Sequence, residues 1–151
     1  MKIGIISDHH GYITKQEIVK NLINLGYEVI DYGTNSNERI DHPDYAFLLG
    51  EKLNNKEVEL GISLCKTGIG MAIGLNKVKG VMCAKINSKL DAKMAKEHNN
   101  VNALSFNEEN TASEITDFIK IFLNAKFLGE KDESYQRRID KIKAYEDHHE
   151  S

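Results

Sequence analysis

Five short apolar runs, each followed by a segment with helical spacing, constrain the fold of this chain more than any other feature of its sequence. Gly, Asp or Asn residues bound the runs, which is typical of buried β-strands. The predicted strands are Ile3–Ser7, Glu28–Tyr32, Leu60–Cys65, Gly80–Lys85 and Asn102–Phe106. The alternation predicts the α/β class: a doubly wound, Rossmann-like parallel sheet of five strands with helices on both faces.

The segments between the runs carry apolar residues at three- and four-residue steps and contain helix-end signals. Gly26 is a predicted C-cap, Pro43 a first helical residue, and Ser88 with Asp91 has the spacing of a capping box. The predicted helices are Thr14–Leu25, Pro43–Leu53, Ile69–Asn76, Ser88–Glu97 and Thr111–Asn124. In such sheets ligands bind beyond the carboxyl ends of the strands, so we expect functional residues in the loops that follow the strands.

A C-terminal amphipathic helix is predicted at about 132–148, with an apolar stripe formed by Tyr135, Ile139, Ile142 and Tyr145. We expect this helix to extend to a partner subunit, because the sheet looks complete without it; packing on its own domain is the alternative. The whole chain, 1–151, is then a single domain with its core at about 1–128.

Composition excludes several classes of protein. Hydrophobic residues make up 40% and charged residues 28% of the chain, which predicts a soluble globular domain. A net charge of -3 and a pI of about 6.1 argue against a nucleic-acid partner. No apolar run approaches the roughly 20 residues of a membrane span, and no signal peptide is evident. Two cysteines form no disulfide framework, so we expect a cytoplasmic location.

Two strand-exit loops carry the reactive side chains. The first is Ser7-Asp8-His9-His10-Gly11-Tyr12, in which Asp8 and the histidines supply acid–base groups; a helix-capping aspartate beside a solvated histidine is the alternative. The second is Cys65-Lys66-Thr67-Gly68-Ile69-Gly70. Its glycines let backbone N–H groups converge on an anion, and both the helix N-terminus and Lys66 favour a thiolate at Cys65. A buried structural cysteine is the alternative, and Cys83 fits that description.

Other chemistries find little support. The second loop matches neither a P-loop nor the dinucleotide fingerprint, and Met71 stands where a cysteine phosphatase needs arginine. The histidines lack metal-binding spacing, so we expect no metal and no cofactor. His98 follows a predicted helix, where it is either structural or a proton donor.

Together these motifs resemble the family of ribose-5-phosphate isomerase B and the galactose-6-phosphate isomerase subunits. The resemblance runs from Met1 to about Glu146. Its segments are Ser7-Asp8-His9-x-Gly11, Tyr27–Thr34, Pro43–Ala46, Cys65-x-Thr67-Gly68-Ile69-Gly70-Met71, Asn76-Lys77, Glu97-His98-Asn99 and Gln136-x-Arg138-Ile139-Asp140. It implies a metal-free aldose–ketose isomerase of a sugar phosphate, most simply ribose 5-phosphate, that forms homodimers or tetramers with shared active sites.

The resemblance also implies roles for individual residues. Cys65 would be the base that moves a proton between C1 and C2 of the sugar. Asp8 and His98 would serve the hydroxyl groups and ring opening, with His98 and Asn99 supplied by the partner subunit. The enediolate would be held by Thr67 and by the backbone N–H groups of Gly68, Ile69 and Gly70. His9 and Arg138 would contact the phosphate.

Four departures from the family pattern surround the expected phosphate pocket. Lys66 replaces a glycine, and Ser134 an arginine. Asn107-Glu108-Glu109 replaces a turn with an arginine, and His42 a tyrosine. One hypothesis is a sugar phosphate held by His9, Lys66, Arg137 and Arg138, with His42 also at the substrate. The others are a different or non-phosphorylated sugar, and a catalytically silent sugar-binding paralogue.

Overall fold

The computed structural model describes residues 1–149. The strands are β1 (Lys2–Ser7), β2 (Glu28–Gly33), β3 (Leu60–Cys65), β4 (Cys83–Lys85) and β5 (Ala103–Asn107). The helices are α1 (Tyr12–Asn24), α2 (His42–Asn54), α3 (Ile69–Asn76), α4 (Lys89–Glu97), α5 (Ala112–Asn124) and α6 (Glu133–His149), with a short 3-10 helix at Leu128–Glu130. None of the helices described within 1–149 is long and apolar enough to cross a membrane.

All strands form one parallel sheet in the order β2-β1-β3-β5-β4, which confirms the predicted fold class. The central strands β1 and β3 are buried along nearly their whole length, as expected for a parallel sheet covered on both faces. The sequence did not reveal that β5 lies between β3 and β4. The chain therefore passes over the β5 position on its way from β3 to β4 and then turns back to form β5.

Right-handed crossovers explain which helix covers which face of the sheet. Helices α1, α4 and α5 pack on one face, around Ile18, Phe118 and Ile119. Helices α2 and α3 pack on the other face, around Leu49 and Met71. Helix α4 joins the first group because the chain turns back from β4 to β5, so a right-handed connection returns to the face that α1 covers.

The chain winds away from β1 in opposite directions, which opens a crevice beyond the carboxyl ends of β1 and β3. From β1 it passes through α1 on one face to β2; it then passes through α2 on the other face to β3. The helices that follow β1 and β3 therefore lie on opposite faces. Such a switch point is the expected ligand site of an open α/β sheet.

Helix-end signals are confirmed, but one strand is shorter than predicted. Gly26 has φ +93° and ends α1 in a Schellman arrangement, while the Ser88 side chain accepts the Asp91 N–H. Strand β4 begins at Cys83 rather than Gly80. The side chain of Asn102 bonds Met82 N–H (2.8 Å) and Gly80 C=O (2.9 Å), so an amide takes the place of a neighbouring strand there.

Helix α6 packs in part on its own chain. Ile139 is buried, and the Glu146 carboxylate accepts the Gly80 N–H at 2.8 Å. The C-terminal half of the predicted apolar stripe stays open, since Ile142 and Tyr145 are 52% and 66% exposed. Helix α6 thus contacts its own chain before β4, and its extension to a partner subunit stays a prediction.

One buried cation ties α1 to the end of β2. Lys15 is fully buried, and its Nζ lies 2.5 Å from Asp31 Oδ1 and 2.8 Å from Asn35 Oδ1. Asp31 Oδ1 also accepts the Gly33 N–H at 2.9 Å. Burial lowers the pKa of Lys15, whereas the bond to Asp31 acts in the opposite direction. The ion pair therefore fixes the start of the loop between β2 and α2.

We expect Lys15→Met to lower the free energy of unfolding by about 2 kcal/mol or more, because it leaves Asp31 without its buried cation. The double variant Lys15→Met/Asp31→Asn should recover much of this loss. Lys52→Met, which removes a partly exposed partner of Glu57, is the matched control and should change little. Urea unfolding measures all three; an equal loss for Lys15→Met and Lys52→Met would contradict the assignment.

Candidate active site

Asp8 shapes the first loop at the crevice. Its side chain is 7% exposed, and Oδ1 accepts the N–H groups of His10 and Gly11, both at 3.0 Å. The Asp8 N–H in turn donates to Leu64 C=O at 3.0 Å, which links the loop to β3. Asp8 therefore shapes the turn before α1 rather than capping the helix, whose N-cap is Gly11 without a side-chain bond. The turn places a buried carboxylate next to the end of β3.

Cys65 ends β3 and lies beneath the second loop. Its side chain is buried, and Sγ accepts the Gly68 N–H at 3.1 Å. Helix α3 begins directly afterwards at Ile69, so its first N–H groups face this end of the loop. A backbone donor thus bonds the sulfur, one residue before the start of α3. Cys83 differs: it packs against the core beside α3, and burial raises its pKa to about 12.

The turn above Cys65 depends on a glycine and a buried serine. Gly68 has φ +79°, and a Cβ there would lie 3.1 Å from the backbone carbonyl of Phe106. Ser105, buried in β5, donates its hydroxyl proton to Gly68 C=O at 2.6 Å. The loop is thus held from the neighbouring strand. Sequence reasoning missed Ser105 because a lone serine within an apolar run gives no motif.

The other predicted substrate contacts on the Cys65 loop differ in their surroundings. Thr67 is exposed, and its Oγ1 accepts the Ile69 N–H at 3.1 Å, so that N–H is already occupied. The ring of His42 covers Gly70, where a Cβ would approach Nε2 to 2.6 Å. Lys66 is exposed. Lys66 and Thr67 thus belong to the Cys65 loop, and the ring of His42 lies against the same loop at Gly70.

His9 connects the first loop to the segment before α2. Its Nδ1 accepts the Ile40 N–H at 3.3 Å, and its ring lies 4.2 Å from the ring of His10. Because Ile40 precedes α2, this bond joins the aspartate–histidine loop to the segment that carries His42. The crevice therefore brings together the predicted residues Asp8, His9, His42, Cys65, Lys66, Thr67, Gly68, Ile69 and Gly70.

Glu108 is a crevice residue that the sequence identified only as a departure from the family pattern. Its backbone N–H donates to Cys65 C=O at 3.1 Å. Burial raises the pKa of its carboxyl group, and the charge of Asp8 acts in the same direction, while His10 and Lys66 oppose the shift. A carboxyl group thus lies among the charged side chains of both loops.

The remaining predicted residues lie at the opposite edge of the sheet. Helix α4 starts after β4 and ends at His98, just before β5 begins, so His98 and Asn99 lie at the amino edge. Strand β3 has six residues, which at about 3.3 Å each separates the two edges by roughly 16 Å. One chain therefore does not bring His98 to Cys65.

Aromatic stacking holds His98 and one of the predicted arginines together. The rings of His98 and Tyr135 stack at 5.0 Å, and the Arg138 guanidinium lies 5.7 Å from the Tyr135 ring. Arg137 instead lies 3.4 Å from Glu133 on the exposed side of α6. Tyr135, expected only as part of an apolar stripe, is thus the support for His98. Among residues 1–149, no group of three or more His, Cys, Asp or Glu side chains is arranged to hold a metal ion.

Comparisons with known proteins identify the family to which the chain belongs. The model of the ribose/galactose isomerase family matches residues 3–142. A putative sugar phosphate isomerase of Bacillus subtilis, YwlF, is 40% identical over 149 residues, covering 97% of this chain and 98% of the relative. Ribose-5-phosphate isomerase B of Clostridium thermocellum superposes with a TM-score of 0.92 at 38% identity, over 99% of this chain and 100% of the other.

A third relative has a ligand bound. Ribose-5-phosphate isomerase B of Mycoplasma genitalium, solved with ribulose-5-phosphate, matches with a TM-score of 0.88 at 40% identity, over 97% of this chain and 96% of the other. The fold, the crevice and these likenesses define the class of protein as an aldose–ketose isomerase. The chain belongs to the ribose/galactose isomerase family.

We expect Gly68→Ala to reduce turnover at least tenfold, because a Cβ would press on the Phe106 carbonyl and displace the N–H that bonds Cys65. Gly26→Ala is the matched control: Gly26 also has positive φ, but nothing lies within 4 Å of its Cβ position. It should cost about 1 kcal/mol of stability and leave kcat unchanged. Steady-state kinetics of both variants test this prediction. If Gly68→Ala and Gly26→Ala have equal kcat values, the role of Gly68 in holding the Cys65 loop is contradicted.

Proposed function

We propose that the protein interconverts ribose 5-phosphate and ribulose 5-phosphate, with Cys65 as the base. The observation that carries this proposal is the buried Cys65 at the crevice with the Gly68 N–H on its sulfur at 3.1 Å. The relatives named as ribose-5-phosphate isomerases, one with ribulose-5-phosphate bound, support the choice of substrate. We also expect a cytoplasmic location and no metal requirement.

The reaction is a proton transfer between neighbouring carbons. The Cys65 thiolate takes the proton from C2 of the open-chain aldose, and the C–H electron pair becomes the C1=C2 double bond. The oxygen on C1 gains the negative charge and takes the proton that the C2 hydroxyl group loses. The electron pair left on the C2 oxygen forms the C2=O bond, C1 takes the proton back from the Cys65 thiol, and the ketose and the thiolate result. No oxidant or reductant is consumed.

Stabilisation of the enediolate falls to the loop and the start of α3. The Cys65 thiolate is a weak base for a carbon acid, so hydrogen-bond donors must hold the developing oxyanion. Of the predicted donors, Gly68 and Ile69 already donate to Cys65 and Thr67 in the absence of substrate. Gly70 is the second residue of α3, where an N–H has no intrahelical acceptor. Substrate must therefore use Gly70 directly or displace one of the existing bonds.

A complete site needs a second copy of the chain. Cys65 and Asp8 lie at one edge of the sheet, whereas His98, Asn99 and Arg138 lie at the other. The proposed ring-opening and phosphate contacts therefore come from the partner subunit in a homodimer, and a tetramer would be a pair of such dimers. A two-fold axis makes this arrangement reciprocal, with two equal sites for each dimer.

A second candidate is isomerisation of a different or non-phosphorylated sugar. Glu108 and Glu109 stand where the family resemblance leads us to expect an arginine turn, and Lys66 adds only one cation to the crevice. The side chains proposed to hold a phosphate are His9, Lys66, Arg137 and Arg138. A catalytically silent paralogue is less well supported, because Asp8 and Cys65 occupy the crevice together.

We expect Cys65→Ala to lower kcat for ribose 5-phosphate by about 10³-fold or more, since the proton would then lack its acceptor. The assay contains a chelator, which should leave the unaltered enzyme fully active. Cys83→Ala is the matched control: it removes the other thiol, which packs against the core, and should retain normal kcat. Unchanged turnover in Cys65→Ala would exclude Cys65 as the base.

We expect inactive Cys65→Ala and His98→Ala variants to complement each other when they are unfolded together and refolded. A mixed dimer contains one intact site, so an equal mixture should recover about a quarter of the normal activity if subunits pair randomly. Separately refolded and then combined samples are the control and should stay inactive as long as subunits do not exchange. No recovery in dimers shown to be mixed would overturn the shared site.

A further inference from the structure

Glu108 has an unused hydrogen-bonding atom in the crevice. Its Oε2 is shielded from solvent and has no hydrogen-bond partner within residues 1–149. Buried acceptors are ordinarily bonded, and leaving one without a donor is unfavourable. A donor that arrives with a ligand reaches this oxygen when the side chain turns towards the crevice, and the bond formed there removes the cost of the unbonded acceptor.

The position of Glu108 relative to the proposed base is well defined. Its N–H bonds Cys65 C=O at 3.1 Å, so the residue lies beside the end of β3. The charged groups that act on its carboxyl group come from every neighbouring loop: Asp8 and His10 from the first, Lys66 from the second, and Glu109 from its own. The carboxyl group thus borders the space between the first loop and the Cys65 loop, which is where a bound substrate would lie.

We propose that Glu108 contacts the substrate and determines specificity by accepting, at Oε2, a hydrogen bond from a hydroxyl group of the sugar. The inference rests on the proposed sugar isomerase function. The carboxylate of Glu108 favours a hydroxyl group of the sugar over the phosphate, because it repels a phosphate dianion and accepts a hydrogen bond from a hydroxyl group. The phosphate must then lie away from Glu108, towards Arg137 and Arg138 of the partner subunit.

The same carboxyl group should reduce the stability of the free protein. Its pKa is raised in the folded chain, so folding disfavours the ionised form. The penalty is complete at pH values above the raised pKa and absent below the ordinary value of about 4.3. This penalty tests whether the carboxyl group lies in the shielded position from which the proposed contact is argued.

The test compares Glu108→Gln and Glu108→Ala with Glu17→Gln, which removes the same charge from an exposed position on α1. We expect kcat/KM for ribose 5-phosphate to fall roughly 10- to 100-fold in Glu108→Ala and less in Glu108→Gln, because only the amide still offers an acceptor. Glu17→Gln should be unchanged. A lower KM in Glu108→Gln would place the carboxylate against the phosphate and overturn the proposal, as would unchanged kcat/KM.

Thermal unfolding supplies the second arm. Glu108→Gln should raise Tm by a few degrees at pH 7 to 8, with the gain vanishing near pH 4; a gain of about 2–4 °C corresponds to 1 kcal/mol in a chain of this size. A Tm that falls at pH 7 to 8 would overturn the predicted penalty.

The two proposals fail differently. If the unaltered protein turns over no ribose 5-phosphate, the proposed function fails. Calorimetric titration with ribose 5-phosphate and with ribose then tests Glu108 alone. Weaker binding by Glu108→Ala supports the contact; equal affinities, or no binding to the unaltered protein, overturn it.

Discussion

The crevice between β1 and β3 is the constraint on which the site depends. It arises because right-handed connections place α1 and α3 on opposite faces of the sheet, so the ends of two neighbouring strands are left uncovered. The residues that follow β1 and β3 are then neighbours, although more than fifty positions separate Asp8 from Cys65 in the chain. The bond from Asp8 N–H to Leu64 C=O joins the first loop directly to β3, one residue before Cys65.

Hydrogen bonds between neighbouring strands make the crevice a defined site rather than a meeting of loops. Strand β5 and the residue that follows it supply two of them: Ser105 holds the Gly68 carbonyl, and the N–H of Glu108 holds the Cys65 carbonyl. The Gly68 N–H is left to bond Cys65 Sγ. The position of the proposed base is thus set from β5, although no residue of β5 belongs to the cysteine motif.

Sequence patterns predicted the elements well and their arrangement less well. Apolar runs and cap signals identified each strand and helix, because burial and helix ends leave local marks such as Gly26 and Ser88. The order of β4 and β5, and the replacement of the start of β4 by Asn102, depend on contacts between distant segments. The fold also separates His98 from Cys65 within one chain, and the family resemblance already implied that a partner subunit supplies His98.

The separation of His98 from Cys65 explains why acidic and basic side chains lie at opposite edges of the sheet. Within one chain the crevice holds Asp8 and Glu108, which repel an anionic substrate, while His98 and Arg138 stack on Tyr135 at the far edge. Neither edge alone suits a sugar phosphate: the first offers acceptors for hydroxyl groups beside the exposed Lys66, and the second offers the Arg138 guanidinium. If two copies place these edges against each other, the sugar lies on the carboxylates and the phosphate on the cations. Assembly would then be a condition of substrate recognition as well as of proton transfer.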